Sequence, residues 1–293
     1  MTRNSLTNFI SCLQTDLRIA PWEMLPIHRQ GLVDMLARLE SADILALFEL
    51  VEPPRDDRFR GNVAVAETGK QAVVHVEGPL YSNVPDPVKN FFGLADLQDI
   101  NHDVEELARD SQVETVVFDL DTPGGLARPS AETAELIREL GKDKRTVAYS
   151  GPSAMMASAG YKLGSACHEI KASESADVGC IGTYIALADD SEQWEKKGVR
   201  LELHRDGKYK ALGHPGKPIT EDERELLAAE TAECSKRFKD FVRAERPGIS
   251  ESAMEGQTLA GRAARDAGLI DGTRRNLPLL LADEIRRSAL RPS

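Results

Sequence analysis

Three stretches of this 293-residue chain hold residue types that together could attack a carbonyl carbon. In Thr122-Pro123-Gly124-Gly125, two glycines follow an apolar run; in Met155-Met156-Ala157-Ser158-Ala159-Gly160-Tyr161, a serine sits among small neighbours; Gly207-Lys208-Tyr209-Lys210 offers amines. Amide cleavage by a serine needs a hydroxyl held in reach, a group to take its proton, and backbone N–H donors aimed at the developing oxyanion. Ser158 supplies the hydroxyl, and a helix starting at Ala159 would set that residue's N–H beside it, where negative charge is favoured. Gly124 and Gly125 lack a Cβ, which lets a backbone N–H approach a substrate closely. A lysine that takes a proton near neutral pH must lose its own well below the reference pKa of about 10.4, through desolvation or nearby positive charge. Lys208 and Lys217 are the cations close to Lys210 in sequence. Each stretch also has a plainer reading: a tight turn, a packed helix and a solvated loop. The serine is not in a Gly-x-Ser-x-Gly elbow, which separates the chain from the α/β-hydrolases.

These residues fall at the ends of elements that the sequence predicts. QAVVHVEG is a β-branched run closed by a glycine, DLQDINHDVEELARD an amphipathic helix, and VETVVFDL a nearly continuous apolar strand that runs into TPGG, which makes a βαβ unit. A helix over SAETAELIREL, a strand at RTVAYS, the small-residue stretch AMMASAGYKLGSA, and strands at HEIKAS and GCIGTYIAL continue the alternation. A long helix opens at Thr220 with Glu223 three residues on, the capping-box pattern. AMEGQTLAGRAARDAGLID combines a short extended piece, a helix and a Gly-ended turn, and a last helix follows Gly272. Before all this, residues from about Pro21 to Glu49 carry apolar positions at helical spacing, and VEPPRDDRFRGN reads as a linker. The expected organisation is a helical N-terminal appendage and linker over 1–61, the main domain over 62–274, and a C-terminal helix or tail over 275–293.

Composition narrows the function classes. A hydrophobic content of 41% suits a buried core, and a formal charge of −11 disfavours nucleic acid, whose phosphates call for basic surface. Cys12, Cys167, Cys180 and Cys234 show no CxxC spacing, so neither a metal site nor a disulfide scaffold is expected, and they fit a reducing compartment. Cys167-His168 are adjacent, and adjacent strand residues point to opposite faces, which argues against a shared metal. No cofactor is expected. No apolar run approaches the roughly 18 residues that span a bilayer, and the first twenty residues hold no signal-type apolar core, so a cytoplasmic protein without a membrane anchor is expected.

The ordered set FDLDTPGG, MMASAGYKLGSACHEIKASESADVGCIGTY, GVRLELHRDGKYKALGHPGKPITEDE and AGRAARDAGLID resembles the signal peptide peptidase A family, the S49 serine peptidases, over roughly residues 70 to 272. The resemblance implies an α/β fold of the Clp-protease and crotonase type, stacked βαβ units here joined to the helical appendage. It implies Ser158 as nucleophile, with Ala159 in place of the first glycine of the family's S-G-G-Y-type motif. It implies Lys210 as general base, and Gly125 and the backbone of Ala159 as the oxyanion hole, with Gly124 shaping the same turn. The family's Gly-Ser-Ile-Gly, whose serine supports the lysine, stands here as Gly179-Cys180-Ile181-Gly182, and a thiol is the weaker hydrogen-bond partner. An extended polypeptide substrate would pair with the chain after Gly125, at Leu126, and around Gly182 and Thr183.

Rings of subunits in the family imply a homo-oligomer, with the lysine drawn from the same or a neighbouring copy. The leader PWEMLPIHRQGLVDML resembles that of phage and prophage members, which implies a head-maturation protease acting with scaffold, capsid or portal proteins in the host cytoplasm or procapsid. A housekeeping peptidase for signal peptides or small polypeptides, a silent assembly component, a histidine base at His204 or His214, and a crotonase-type acyl-CoA enzyme are the alternatives.

Overall fold

The computed structural model describes Trp22–Met24, Gln30, residues 58–66 and residues 69–290. In chain order the strands are β1 (Trp22–Met24), β2 (Asn62–Val65), β3 (Gln71–Glu77), β4 (Leu80–Tyr81), β5 (Ala95–Asp96), β6 (Thr115–Asp121), β7 (Gly124–Leu126), β8 (Arg145–Ser150), β9 (Met155–Ala157), β10 (Glu169–Ala172), β11 (Asp177–Gly179), β12 (Thr258–Ala260) and β13 (Gly272–Thr273). The helices are α1 (Asp86–Phe92), α2 (Leu97–Arg109), α3 (Ala127–Leu140), α4 (Ala159–Ser165), α5 (Ser191–Lys196), α6 (Glu221–Glu245), α7 (Gly261–Asp266) and α8 (Leu277–Ala289).

The main sheet has the order β13-β10-β8-β6-β3-β2, parallel throughout except for the antiparallel edge strand β2. Its central strands β3, β6 and β8 are buried on both faces, which is why they read as near-continuous apolar runs rather than alternating ones. Val74, Val116, Phe118 and Ala148 face a core shared with Leu97, Ile100, Val104 and Leu107 of α2, Ile137 of α3 and Phe238 and Val242 of α6. Val73, Val117, Val147 and Tyr149 point the other way and meet Leu280 of α8, the period-2 alternation of a strand.

Each step across the sheet is more than a βαβ unit. β3, β6 and β8 are each followed by a short strand outside the main sheet before the chain enters a helix: β4, then β7, then β9. β10 is followed in the same way by β11. These pieces form two small sheets, β1-β7-β4-β5 and β12-β11-β9. They are two or three residues long, too short to show a period, and this layer positions the candidate site.

Two expectations are corrected. GCIGTYIAL is not a strand: β11 ends at Gly179, and residues 180–183 are irregular, because Gly179 at φ 118 and Cys180 at φ 55 turn the backbone out of the extended region. Trp22–Met24, at the head of the stretch expected to be helical, form a strand that pairs antiparallel with β7. The rest of that appendage lies outside the described residues, apart from Gln30. β2 begins at Asn62, and α8 accounts for the expected last helix. The long helix α6 carries its capping box, with the Thr220 N–H donating to Glu223 Oε2 at 3.0 Å.

Candidate active site

Ser158 stands alone between β9 and α4, at φ 57 and ψ −117. A non-glycine residue in that region is strained by about 1–3 kcal/mol and persists only where its surroundings hold it. The holders are visible on both sides. Ser158 N–H donates to Gly179 O at 2.7 Å, an extension of the parallel β9–β11 pairing, and its carbonyl accepts Lys162 N–H at 3.0 Å as the first turn of α4. The result is a sharp strand–serine–helix turn, reached without the Gly-x-Ser-x-Gly sequence that usually announces one. Gly160 permits it, since a Cβ there would overlap the Thr122 methyl.

The same threonine ties the glycine turn to the serine. Thr122 N–H donates to Met155 O at 2.6 Å, Thr122 O accepts from Ala157 N–H at 3.1 Å, and Asp121 Oδ1 accepts Met155 N–H at 3.0 Å. Thr122 Oγ1 accepts the N–H of Gly124, which sits at φ 100. Gly125 could carry no side chain, because a Cβ would run into the Leu80 carbonyl oxygen of β4. Sequence reasoning passed over Thr122, whose signal was its place before Pro-Gly-Gly and which acts through both its backbone and its side chain.

Ala159 is the first residue of α4, so its N–H has no partner within the helix and lies next to Ser158. Sequence reasoning also missed Lys162, one turn on. Although lysines are seldom buried, it is 4% exposed, with its Nζ 3.2 Å from Ala127 O, 3.3 Å from Ser130 Oγ and 4.6 Å from the centre of the Phe238 ring. It joins the serine helix to the start of α3, directly after β7, and to α6.

Cys180 comes to the serine itself. Burial pushes its thiol pKa up, and the nearby Ser158 hydroxyl draws it partly back. Cys180 N–H is held by Gln257 O at 2.7 Å. Beyond it, Gly182 and Thr183 are half-buried, and Thr183 Oγ1 is a buried oxygen with no hydrogen-bond partner among the described residues. Leu126 ends β7 and is buried.

Lys210 is placed differently. It is exposed, in a turn where its N–H reaches Gly207 O at 3.3 Å, and no hydrogen bond joins it to Ser158 among the described residues. The cations expected to bear on it are engaged elsewhere: Lys208 pairs with Asp222 at 2.8 Å and Lys217 with Glu223. His204 bonds Glu202 at 3.1 Å and His214 bonds Pro215 O at 2.8 Å, both at the surface. Cys167 lies in the core with its thiol pushed up to about 12 by burial, while His168 meets Thr146 Oγ1 at 2.9 Å. Among the described residues, no group of three His, Cys, Asp or Glu side chains could hold a metal ion, and no helix is long and apolar enough to cross a membrane.

The fold and this turn define a class: an α/β chain of stacked units with a strained serine presented at a strand–helix junction. Residues 138–277 match the sequence model of peptidase family S49, a span that holds the last three of the four motifs. The match takes in Ser158, Cys180 and Lys210 and begins beyond Gly124 and Gly125, whose place beside the serine rests on the geometry. Capsid assembly protease C of Escherichia phage lambda is 29% identical over 203 residues, covering 68% of this chain and 45% of that protein. The chloroplastic serine protease SPPA of Arabidopsis thaliana is 25% identical over 204 residues, 68% of this chain and 30% of that protein. The chain thus spans less than half the length of these two relatives. Among solved structures, a ClpP1 mutant from Listeria monocytogenes aligns with 70% of this chain and 92% of its own, at 13% identity and a TM-score of 0.42.

Proposed function

We propose that the chain is a serine endopeptidase in which Ser158 attacks the scissile carbonyl and Lys210 takes its proton. The observation that carries this reading is the strained Ser158 turn, held between Gly179 and α4 and tied through Thr122 to the glycine strand. In the reaction, Ser158 Oγ bonds to the carbonyl carbon while the amine of Lys210 accepts the hydroxyl proton. The oxyanion takes hydrogen bonds from the N–H groups of Gly125 and Ala159. Collapse expels the amine, which leaves with the proton from the lysine, and water then releases the acyl group by the same route.

Lys210 reaches the serine in an assembly, from a neighbouring copy. Its exposure supports this, as do the exposed apolar residues Val199, Leu203 and Tyr209 on the same segment, which suit an interface. The substrate is a polypeptide lying extended along Leu126 on one side and Gly182 and Thr183 on the other. The similarity to the phage lambda capsid assembly protease favours a head-maturation role on scaffold, capsid or portal proteins, in the host cytoplasm or inside the procapsid. The similarity to a putative signal peptide peptidase SppA of Enterococcus faecium, 26% identical over 173 residues, keeps a signal-peptide or small-polypeptide peptidase as the second reading.

A fluorophosphonate should label the assembled protein, and Ser158→Ala should abolish the label. Ser158→Ala and Lys210→Ala, each inactive alone, should regain peptide hydrolysis when their subunits are mixed and reassembled. Full activity of Lys210→Ala would overturn the dyad; inactivity of the mixture with both parents assembled would overturn supply from a neighbour.

A further inference from the structure

β7 is the strand on which an extended substrate would pair, and a strand has two hydrogen-bonding edges. One edge of β7 meets β4, where Leu80 stands opposite Gly125. The other edge is also filled: Trp22, Glu23 and Met24 run antiparallel to it, opposite Leu126, Gly125 and Gly124. An unpaired edge beside a catalytic serine is what a polypeptide substrate needs for strand addition, and here the chain's own N-terminal segment has it. Met24 is 2% exposed, so this is a seated strand, and it lies at the nucleophile end of β7, since Gly124 follows the threonine that holds Ala157. Ser158 is itself 1% exposed, so a polypeptide can reach it only after something moves.

We propose that Trp22–Met24 is an internal occupant of the substrate-strand position on β7, which a polypeptide must displace to be cleaved. This rests on the reading of Ser158 as nucleophile and β7 as the substrate strand. It assigns the edge of β7 to an extended segment with an unbranched apolar side chain opposite Gly124, as Met24 supplies. The apparent affinity for any substrate is then lowered by the fraction of molecules whose edge is vacant.

The test uses the full chain. Met24→Asp places a charge at the buried position and unseats the strand; Glu23→Pro, which removes a backbone donor in the middle of the segment, is the second variant should the first fail to fold, with circular dichroism as the check. The probe is a fluorescein-labelled peptide with the sequence of residues 19–28, and binding is read by anisotropy in a Ser158→Ala background so that no hydrolysis intervenes. Binding at least about tenfold tighter in the unseated variant than in its parent is expected. Equal binding in a folded variant overturns the proposal. Fluorophosphonate labelling of the same variants with Ser158 intact separates the two readings. Faster labelling on unseating supports both, while tighter peptide binding with no label in any form leaves the occupant standing and removes Ser158 as nucleophile.

Discussion

Replacing Ser158 by glycine should make the protein more stable than replacing it by alanine, the reverse of the usual order. Ser158 sits at φ 57 and ψ −117, where a Cβ is penalised by about 1–3 kcal/mol. Alanine keeps the Cβ and the strain; glycine removes both. Against this, glycine frees the unfolded chain and loses roughly 0.5–1 kcal/mol relative to alanine. Both variants lose the hydroxyl beside Cys180 equally, so its contribution cancels in the comparison. The balance is about 1 kcal/mol in favour of glycine, or roughly 2 °C in melting temperature for a domain of this size. Urea unfolding of the two variants, read by circular dichroism at one pH and protein concentration, measures it. If Ser158→Ala equals or exceeds Ser158→Gly in stability, the turn is not strained, and the claim that the surrounding strands hold the serine in place fails.

Cys180→Ser restores a hydroxyl beside Ser158, a stronger hydrogen-bond partner than the thiol. Peptide hydrolysis by the assembled protein should rise several-fold, and an unchanged or lower rate would show that the thiol does not limit the site. Cys167 gives a pH signature. Burial raises its thiol to about 12 in the folded chain against 9.0 for a free thiol, so between those values the folded state keeps a proton that the unfolded state has lost. That contribution is intact below pH 9 and declines as pH rises, by roughly 1 kcal/mol at pH 10. Urea midpoints of the wild type should therefore fall more between pH 8 and 10 than those of Cys167→Ala; parallel curves would refute the burial argument.

The main sheet and its helices were legible because their signals are long. β3, β6 and β8 are runs of six or seven residues, and α2, α3 and α6 carry enough turns to show an apolar face or a capping box. The layer that builds the site was not legible, since β4, β7, β9 and β11 have two or three residues each, and their pairing depends on tertiary staples such as those of Thr122. The glycines showed where the backbone would pass closely, but not what it would pass: the Leu80 carbonyl for Gly125 and the Thr122 methyl for Gly160. GCIGTYIAL misled because β-branched and apolar content overstated a segment whose backbone turns at Gly179 and Cys180. Lys162 was invisible for the opposite reason, as a lysine four residues into a helix reads as surface until the helix is seen to be buried throughout.

The placement of the two proposed catalytic groups separates two conditions for activity. Ser158 is prepared within one chain: its strain, its partners on β11 and the glycine strand beside it are all in place, yet it is covered and the edge of β7 is filled. Lys210 is the converse, solvent-exposed and without a bond to the serine among the described residues, on a segment that carries exposed apolar side chains. Assembly would bring the lysine but would not vacate β7, and an arriving polypeptide would vacate β7 but would not bring the lysine. If both proposals hold, an isolated chain is inactive for want of a base, and an assembled one is slow until a substrate competes with residues 22–24. Unseating Trp22–Met24 should then speed only the assembled form, which ties the two proposals to one measurable dependence on protein concentration.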